Sequence, residues 1–151
     1  MNKRIFISAV LLGLFLFAGF SADAQVDKLL GMWKTIDDET GQAKSYVKIF
    51  KATDGMYYGR VEKLLNKPAD TKCTACTGKN KDKPIVGMFV VSKMKADGKE
   101  LVDGNILDPG NGKSYYCTIS LDPTDPKKLI VRGSLDSWGI AGRSQTWLRA
   151  E

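Results

Sequence analysis

KSYVKIFKATDGMYYGRVEKLL, residues 44–65, reads as two extended segments folded back on one another. Ser45, Val47 and Ile49 alternate with Tyr46, Lys48 and Phe50, the two-residue period that puts successive side chains on opposite faces of a strand. Asp54-Gly55 then supplies the residue pair best suited to the left-handed backbone of a tight hairpin turn, and MYYGRVEKLL runs back. Periodicity alone does not say which face of the first segment points inward. With Ser45, Val47 and Ile49 inside, Tyr46 and Phe50 face out; in the other register the aromatics line the interior.

The same theme extends in both directions. Upstream, Trp33 to Ile36 is a short run closed by Asp38-Glu39-Thr40-Gly41. Downstream come a long loop from Asn66 to Pro84, IVGMFVVSKM closed by Asp97-Gly98, LVDGNILD closed by Pro109-Gly110-Asn111-Gly112, and KSYYCTISL closed by Asp122-Pro123-Thr124-Asp125-Pro126. LIVRGSL and GRSQTWLR complete a count of eight strand runs. Mostly short connections make each strand antiparallel to its predecessor. The predicted fold is all-β: a single antiparallel up-and-down barrel of about eight strands, with an interior that is filled or holds one small ligand. Gly59, Gly87, Gly104 and Gly133 interrupt strand runs where a tightly coiled barrel must bend; a two-sheet sandwich is the competing architecture. After residue 31 no stretch sustains a helical period, and Val26 to Leu30 has room for one short turn.

The first residues have a separate meaning. Lys3 and Arg4 precede an apolar run from Ile5 to Phe20, and Ala22-Asp23-Ala24 forms a small-residue cleavage pattern before Gln25. This is the layout of a secretory signal peptide, residues 1–24, leaving residues 25–151 as one exported domain, periplasmic or secreted. The apolar run falls short of the roughly 20 residues a membrane-spanning helix needs, and no Cys lies near the cleavage point to take a lipid. No stable membrane insertion is expected.

Cleavage after Ala24 removes Lys3, Arg4 and Asp23 and lowers the formal charge from +6 to a mild +5. The positive balance comes mostly from Lys; only Arg60, Arg132, Arg143 and Arg149 follow the leader. Phosphate and base recognition favours bidentate Arg, so no nucleic acid partner is expected. Six lysines between Lys63 and Lys83 form a solvated loop or a patch for an anionic surface.

The chain has no His. That removes the commonest general base, the commonest metal ligand and the usual Ser-His-acid triad together. Asp103 and Asp108 read as a surface acid and a turn initiator rather than a catalytic pair. No catalytic residue and no cofactor is implied.

Cys73-Thr74-Ala75-Cys76 is the most chemical-looking motif, compatible with a local disulfide, a redox pair or half a metal site. Three Cys without His do not complete the four ligands of a structural zinc site within one chain, so no metal is expected. The segment after the motif, Thr77-Gly78-Lys79-Asn80, forms turns rather than the helix that activates a thioredoxin-type thiol, although nearby lysines also lower thiol pKa. A loop-tying disulfide between Cys73 and Cys76, with Cys117 left free on a strand face shared with Tyr115 and Ile119, is the plainest reading. The sequence leaves pairing of Cys117 with either loop Cys open.

Gly31-Met32-Trp33 opens the first strand and Trp147-Leu148-Arg149 closes the last. First and last strands are neighbours in a closed barrel, which lets Trp33 plug one end beneath the Arg149 guanidinium, a cation–π contact worth about 0.5 to 2 kcal/mol. A GxW motif on the first strand with a basic residue on the last is similar to the structural signature of the lipocalins and their calycin relatives. GMWKTIDDETGQAKSYVKIF, the CTAC loop, KDKPIVGM, GNILDPGNGKSYYC, VRGSL and GRSQTWLR together resemble the bacterial family called domain of unknown function 2147, from Gly31 to Arg149. The resemblance implies a secreted or periplasmic lipocalin-like barrel. It carries over no catalytic residue and leaves the ligand open.

The function expected is that of an exported, non-enzymatic binding protein for a small apolar or aromatic ligand. Tyr57, Tyr58, Phe89, Tyr115, Tyr116 and Trp138 are the candidate lining or rim residues. Two alternatives stand beside it: an envelope thiol–disulfide protein acting through Cys73 and Cys76, and a filled barrel that meets an envelope partner through its outer face or its Lys-rich loop. The oligomeric state is not legible.

Overall fold

A computed structural model describes residues 25–150. The signal peptide expected at residues 1–24 lies outside the described residues. Eight antiparallel strands follow in order: β1 Gly31–Ile36, β2 Ala43–Lys51, β3 Tyr57–Leu64, β4 Phe89–Asp97, β5 Glu100–Asp108, β6 Lys113–Leu121, β7 Lys128–Ser134 and β8 Gly142–Arg149. Each pairs with its successor, and β8 pairs back onto β1 through Trp33 with Arg149, Lys34 with Leu148 and Thr35 with Trp147. The barrel is therefore closed and up-and-down, which leaves no open sheet edge.

The alternation in residues 44–51 resolves with Ser45, Val47 and Ile49 inside and Tyr46, Lys48 and Phe50 outside. The same apolar-in pattern gives Val61 on β3, Met94 on β4, Leu101 on β5, Ile119 on β6 and Val131 on β7. Outward positions carry charge instead, as at Lys48, Arg60 and Lys95. Burial of the inward side chains stabilises the closed form by about 25 cal/mol per Å² of apolar surface. Two strands bend sharply where Lys93 and Asp103 take left-handed backbone angles, and the Met94 side chain lies against Gly104. A Cβ at Gly104 would lie 2.2 Å from the Met94 sulfur, so only Gly lets that side chain cross the interior.

The two barrel ends differ. At one, the 3-10 turn Asp27–Leu29 lies across the floor and buries Val26 and Leu29 completely, packing toward β6. Trp33 rises from β1 into the same space, fully buried, and its indole N–H donates to the Leu29 carbonyl at 2.9 Å. The Arg149 guanidinium lies 3.8 Å over the Trp33 ring and donates to the carbonyls of Leu30, at 2.6 Å, and Lys28. The opposite end carries the β1–β2, β3–β4, β5–β6 and β7–β8 connections and is open.

Candidate functional site

The open end leads into a cavity of about 910 Å³. Its walls are the inward side chains of the upper half of the barrel, with Val47, Val61, Val90, Ile106, Val131 and Trp147 making the apolar part. Polar and charged side chains border the cavity toward its mouth, Asp37, Asp38, Lys44, Lys113, Arg143 and Gln145 among them. The Thr35 and Ser45 hydroxyls hydrogen-bond each other at 2.8 Å, and Asn111 donates its side-chain amide to the Tyr115 hydroxyl at 3.0 Å on the rim. Ser134 donates to the Asp136 carbonyl at 2.8 Å. Trp147 is buried, and its indole N–H has no partner among the described residues. An unpaired buried donor costs about 1–3 kcal/mol; this one has almost no accessible surface, so nothing held in the cavity reaches it without a shift of the wall.

The rim is built from four turns. In the β1–β2 turn, Asp37 accepts hydrogen bonds from the backbone N–H of Thr40 at 2.9 Å and from the Thr40 hydroxyl at 3.0 Å, which lower its pKa to about 2. Lys44 pairs with Asp37 at 3.4 Å, and Arg143 pairs with Asp38 at 3.3 Å. Exposed pairs of this kind add little stability, but they fix the shape of one side of the mouth.

Across the mouth, the long β3–β4 connection returns to the barrel through Gly87 N–H to Val61 O at 2.8 Å and Val61 N–H to Met88 O at 3.0 Å. Cys73 and Cys76 form a disulfide at its centre, and Cys117 is free. The two bridged residues are 0% and 2% exposed, which denies an attacking thiolate the access that disulfide exchange requires. The bridged loop is pressed against the β5–β6 turn: the Cys73 sulfur lies 3.4 Å from the Pro109 carbonyl oxygen. A Cβ on Gly112, whose φ is +73°, would sit 1.9 Å from the Ala75 carbonyl oxygen. The disulfide therefore braces the rim from outside the cavity.

Of the six aromatic residues picked out in the sequence, Tyr115 lines the cavity. Tyr57 is buried in the lower barrel, pairing with Lys51 and Met94 beyond the cavity wall. Tyr58 and Phe89 face outward and form an exterior cluster with Phe50, ring centroids 5.9 to 6.4 Å apart. The Tyr58 hydroxyl donates to Asp54 at 2.7 Å, which raises its pKa. Tyr116 also faces out, and Trp138 stands exposed on the β7–β8 loop at the open end. Asp103 is an exposed partner of Lys95, and Asp108 accepts the Gly110 N–H at 2.8 Å as a turn former. Small and branched residues, Val47, Val61, Val131 and Gly133, line the cavity where the aromatic candidates other than Tyr115 do not. The signal that finds them is their position on the inward face, two residues apart along β2, β3 and β7.

The sequence family described as uncharacterised proteins conserved in bacteria (DUF2147) matches residues 31–149, from the first strand to the last. The chain belongs to this family. Among solved structures, this DUF2147 barrel is similar to protein HP1028 from the human pathogen Helicobacter pylori, described as belonging to the lipocalin family. The TM-score is 0.69 at 22% identity, over 82% of this chain and 83% of that one, a likeness of fold. No curated protein matches the DUF2147 chain. Among the described residues no helix is long and apolar enough to cross a membrane.

Proposed function

We propose that the protein is an exported, non-enzymatic carrier that holds one small, mainly apolar molecule in the open half of its barrel. The observation that carries this reading is the cavity itself: about 910 Å³, within the usual range for small-molecule sites and closed at one end by Trp33 and Leu29. Branched aliphatic walls favour an apolar body. The Thr35 and Ser45 hydroxyls, bonded to each other in the wall, leave one O–H free to donate and so favour a ligand with an oxygen acceptor. Residues 25–151 form the exported unit, and the disulfide is compatible with that route.

Gly133 offers the test. It lies in the cavity wall, where a Cβ would meet Ile106 at 3.5 Å and Tyr115 at 3.6 Å, ordinary contacts. A Gly133→Leu side chain is therefore accommodated at its base and extends into the space a ligand would use. Native mass spectrometry with organic extraction, on protein purified from its own host, should find a stoichiometric apolar adduct on the wild type and none on Gly133→Leu. A clean unliganded mass for the wild type refutes the reading, as does an adduct that persists in the variant.

A further inference from the structure

The β7–β8 loop, residues 135–141, exposes Leu135, Trp138 and Ile140 at 74%, 86% and 83%. The other exposed large hydrophobics among the described residues, Leu65, Phe89 and Tyr116, reach only 37–48%. This exposure is not looseness. The Asp136 carboxylate accepts the backbone N–H groups of Ile140 at 3.0 Å and Ala141 at 2.6 Å. The Leu135 N–H donates to the Ala141 carbonyl at 2.8 Å, and Arg132 donates to the Gly139 carbonyl at 2.9 Å. The backbone is thus held in a shape that presents three apolar side chains to solvent at the mouth of the barrel.

We propose that this loop docks onto a lipid bilayer and sets the open end of the barrel against the membrane surface. Size favours a bilayer over a protein: the three side chains offer on the order of 500 Å², against about 800 Å² per partner for a stable protein interface. Immersion of a tip needs no matching surface around it. Trp with flanking aliphatics is also the chemistry of the membrane–water interface, where an apolar ring sits among headgroups with its N–H toward water. The β3–β4 connection at the same end adds five lysines against two aspartates between residues 67 and 83, an excess that attracts anionic lipid. On the β1–β2 turn, Asp37 and Asp38 are already paired with Lys44 and Arg143. Glu39 beside them, Asp108 on the β5–β6 turn and the Asp136 carboxylate within the docking loop remain unfavourable charges. The outer wall mixes charged side chains such as Lys48, Arg60 and Lys95 with the half-exposed Phe89 and Tyr116, so a change at Phe89 separates contact by the wall from contact by the end.

Docking rests on the loop, whether or not the cavity is loaded, so it is tested without ligand. The chain from Gln25 onward holds the whole barrel and omits the apolar run of residues 5–20. It is mixed with vesicles of phosphatidylcholine, and of phosphatidylcholine with phosphatidylglycerol, and followed by flotation and by tryptophan emission. Trp33 and Trp147 are buried, so a blue shift on adding vesicles reports Trp138. We expect co-flotation and a blue shift, stronger with the anionic vesicles. Combined Leu135→Ser, Trp138→Ser and Ile140→Ser changes should cut partitioning at least about tenfold. Phe89→Ser, on the outer wall, should leave it unchanged. Trp138→Ser alone should move flotation in the same direction if the triple variant does not fold. Absence of flotation and shift with both vesicle types overturns the proposal, as does binding that survives the triple change. A lipid-free dimer abolished by the triple change also overturns it, assigning the loop to a second copy of the chain.

Discussion

Replacing Arg149 by Ala should destabilise the barrel by about 3 kcal/mol, because one side chain makes three separate contacts at the closed end. Its guanidinium stacks 3.8 Å from the Trp33 ring, a contact worth about 1 kcal/mol when partly desolvated. Its bond to the part-buried Leu30 carbonyl at 2.6 Å is charge-assisted, adding about 2 kcal/mol. The bond to the Lys28 carbonyl is exposed, and water replaces it at little cost. For a barrel of this size each kcal/mol corresponds to about 4 °C, so the melting temperature should fall by about 12 °C. Arg149→Lys should fall between, since an ammonium does not stack and fork as a planar guanidinium does. Thermal and urea unfolding of Arg149→Ala, Trp33→Phe and the double variant would give the coupling directly. A loss below about 1 kcal/mol for Arg149→Ala, with no coupling to Trp33, would refute the assignment of Arg149 as the clasp of the closed end.

Three further outcomes follow from single residues. Burial pushes the Cys117 thiol up to about 12, so iodoacetamide should leave it unlabelled in the native protein and label it after unfolding; rapid native labelling would contradict its placement. The Asp136 carboxylate has its pKa lowered by the Ala141 and Ile140 N–H groups. Its hold on the β7–β8 loop is therefore complete above the ordinary carboxylate pKa and lost only as pH falls through the depressed value. Amide shifts of Ile140 and Ala141 should accordingly stay constant from neutral pH down to about 4. Gly112→Ala should displace the bridged loop from the rim, since its Cβ would meet the Ala75 carbonyl, and should speed reduction of Cys73–Cys76 by dithiothreitol; an unchanged reduction rate would mean that the turn and the loop are not packed together.

The strand order was readable because each turn carries its own chemistry: Asp54-Gly55, Asp97-Gly98 and the proline-rich clusters punctuate runs whose period is two. Closure was foreshadowed by Trp33 and Trp147-Leu148-Arg149 standing at the two ends of the barrel sequence. The cavity was not readable, because a two-residue period gives the alternation of a strand but not which phase faces in. Tyr58, Phe89 and Tyr116 carry the large side chains expected of a binding wall, yet they fall on the outward phase. Val61, Val131 and Gly133 hold the inward positions, and their small volume is what leaves room.

The contrast between the ends explains how one fold combines firmness with an empty interior. A barrel filled throughout gains the most from burial, and hollowing its upper half forfeits dispersion contacts that the remaining structure has to offset. The lower half does so by concentrating its largest residues: Trp33, Leu29, Ile49, Met94, Leu101, Ile119 and Leu129 are all fully buried. The upper half is bordered instead by the paired rim acids, the disulfide-bridged loop and the Asp136-capped hairpin, which fix the mouth through hydrogen bonds and a covalent tie rather than through side-chain bulk. Polar restraint of that kind keeps the opening in shape without filling it. The apolar tip of Leu135, Trp138 and Ile140 is held out at the same end by the Asp136 cap, exposed to water at a cost that a membrane surface would relieve.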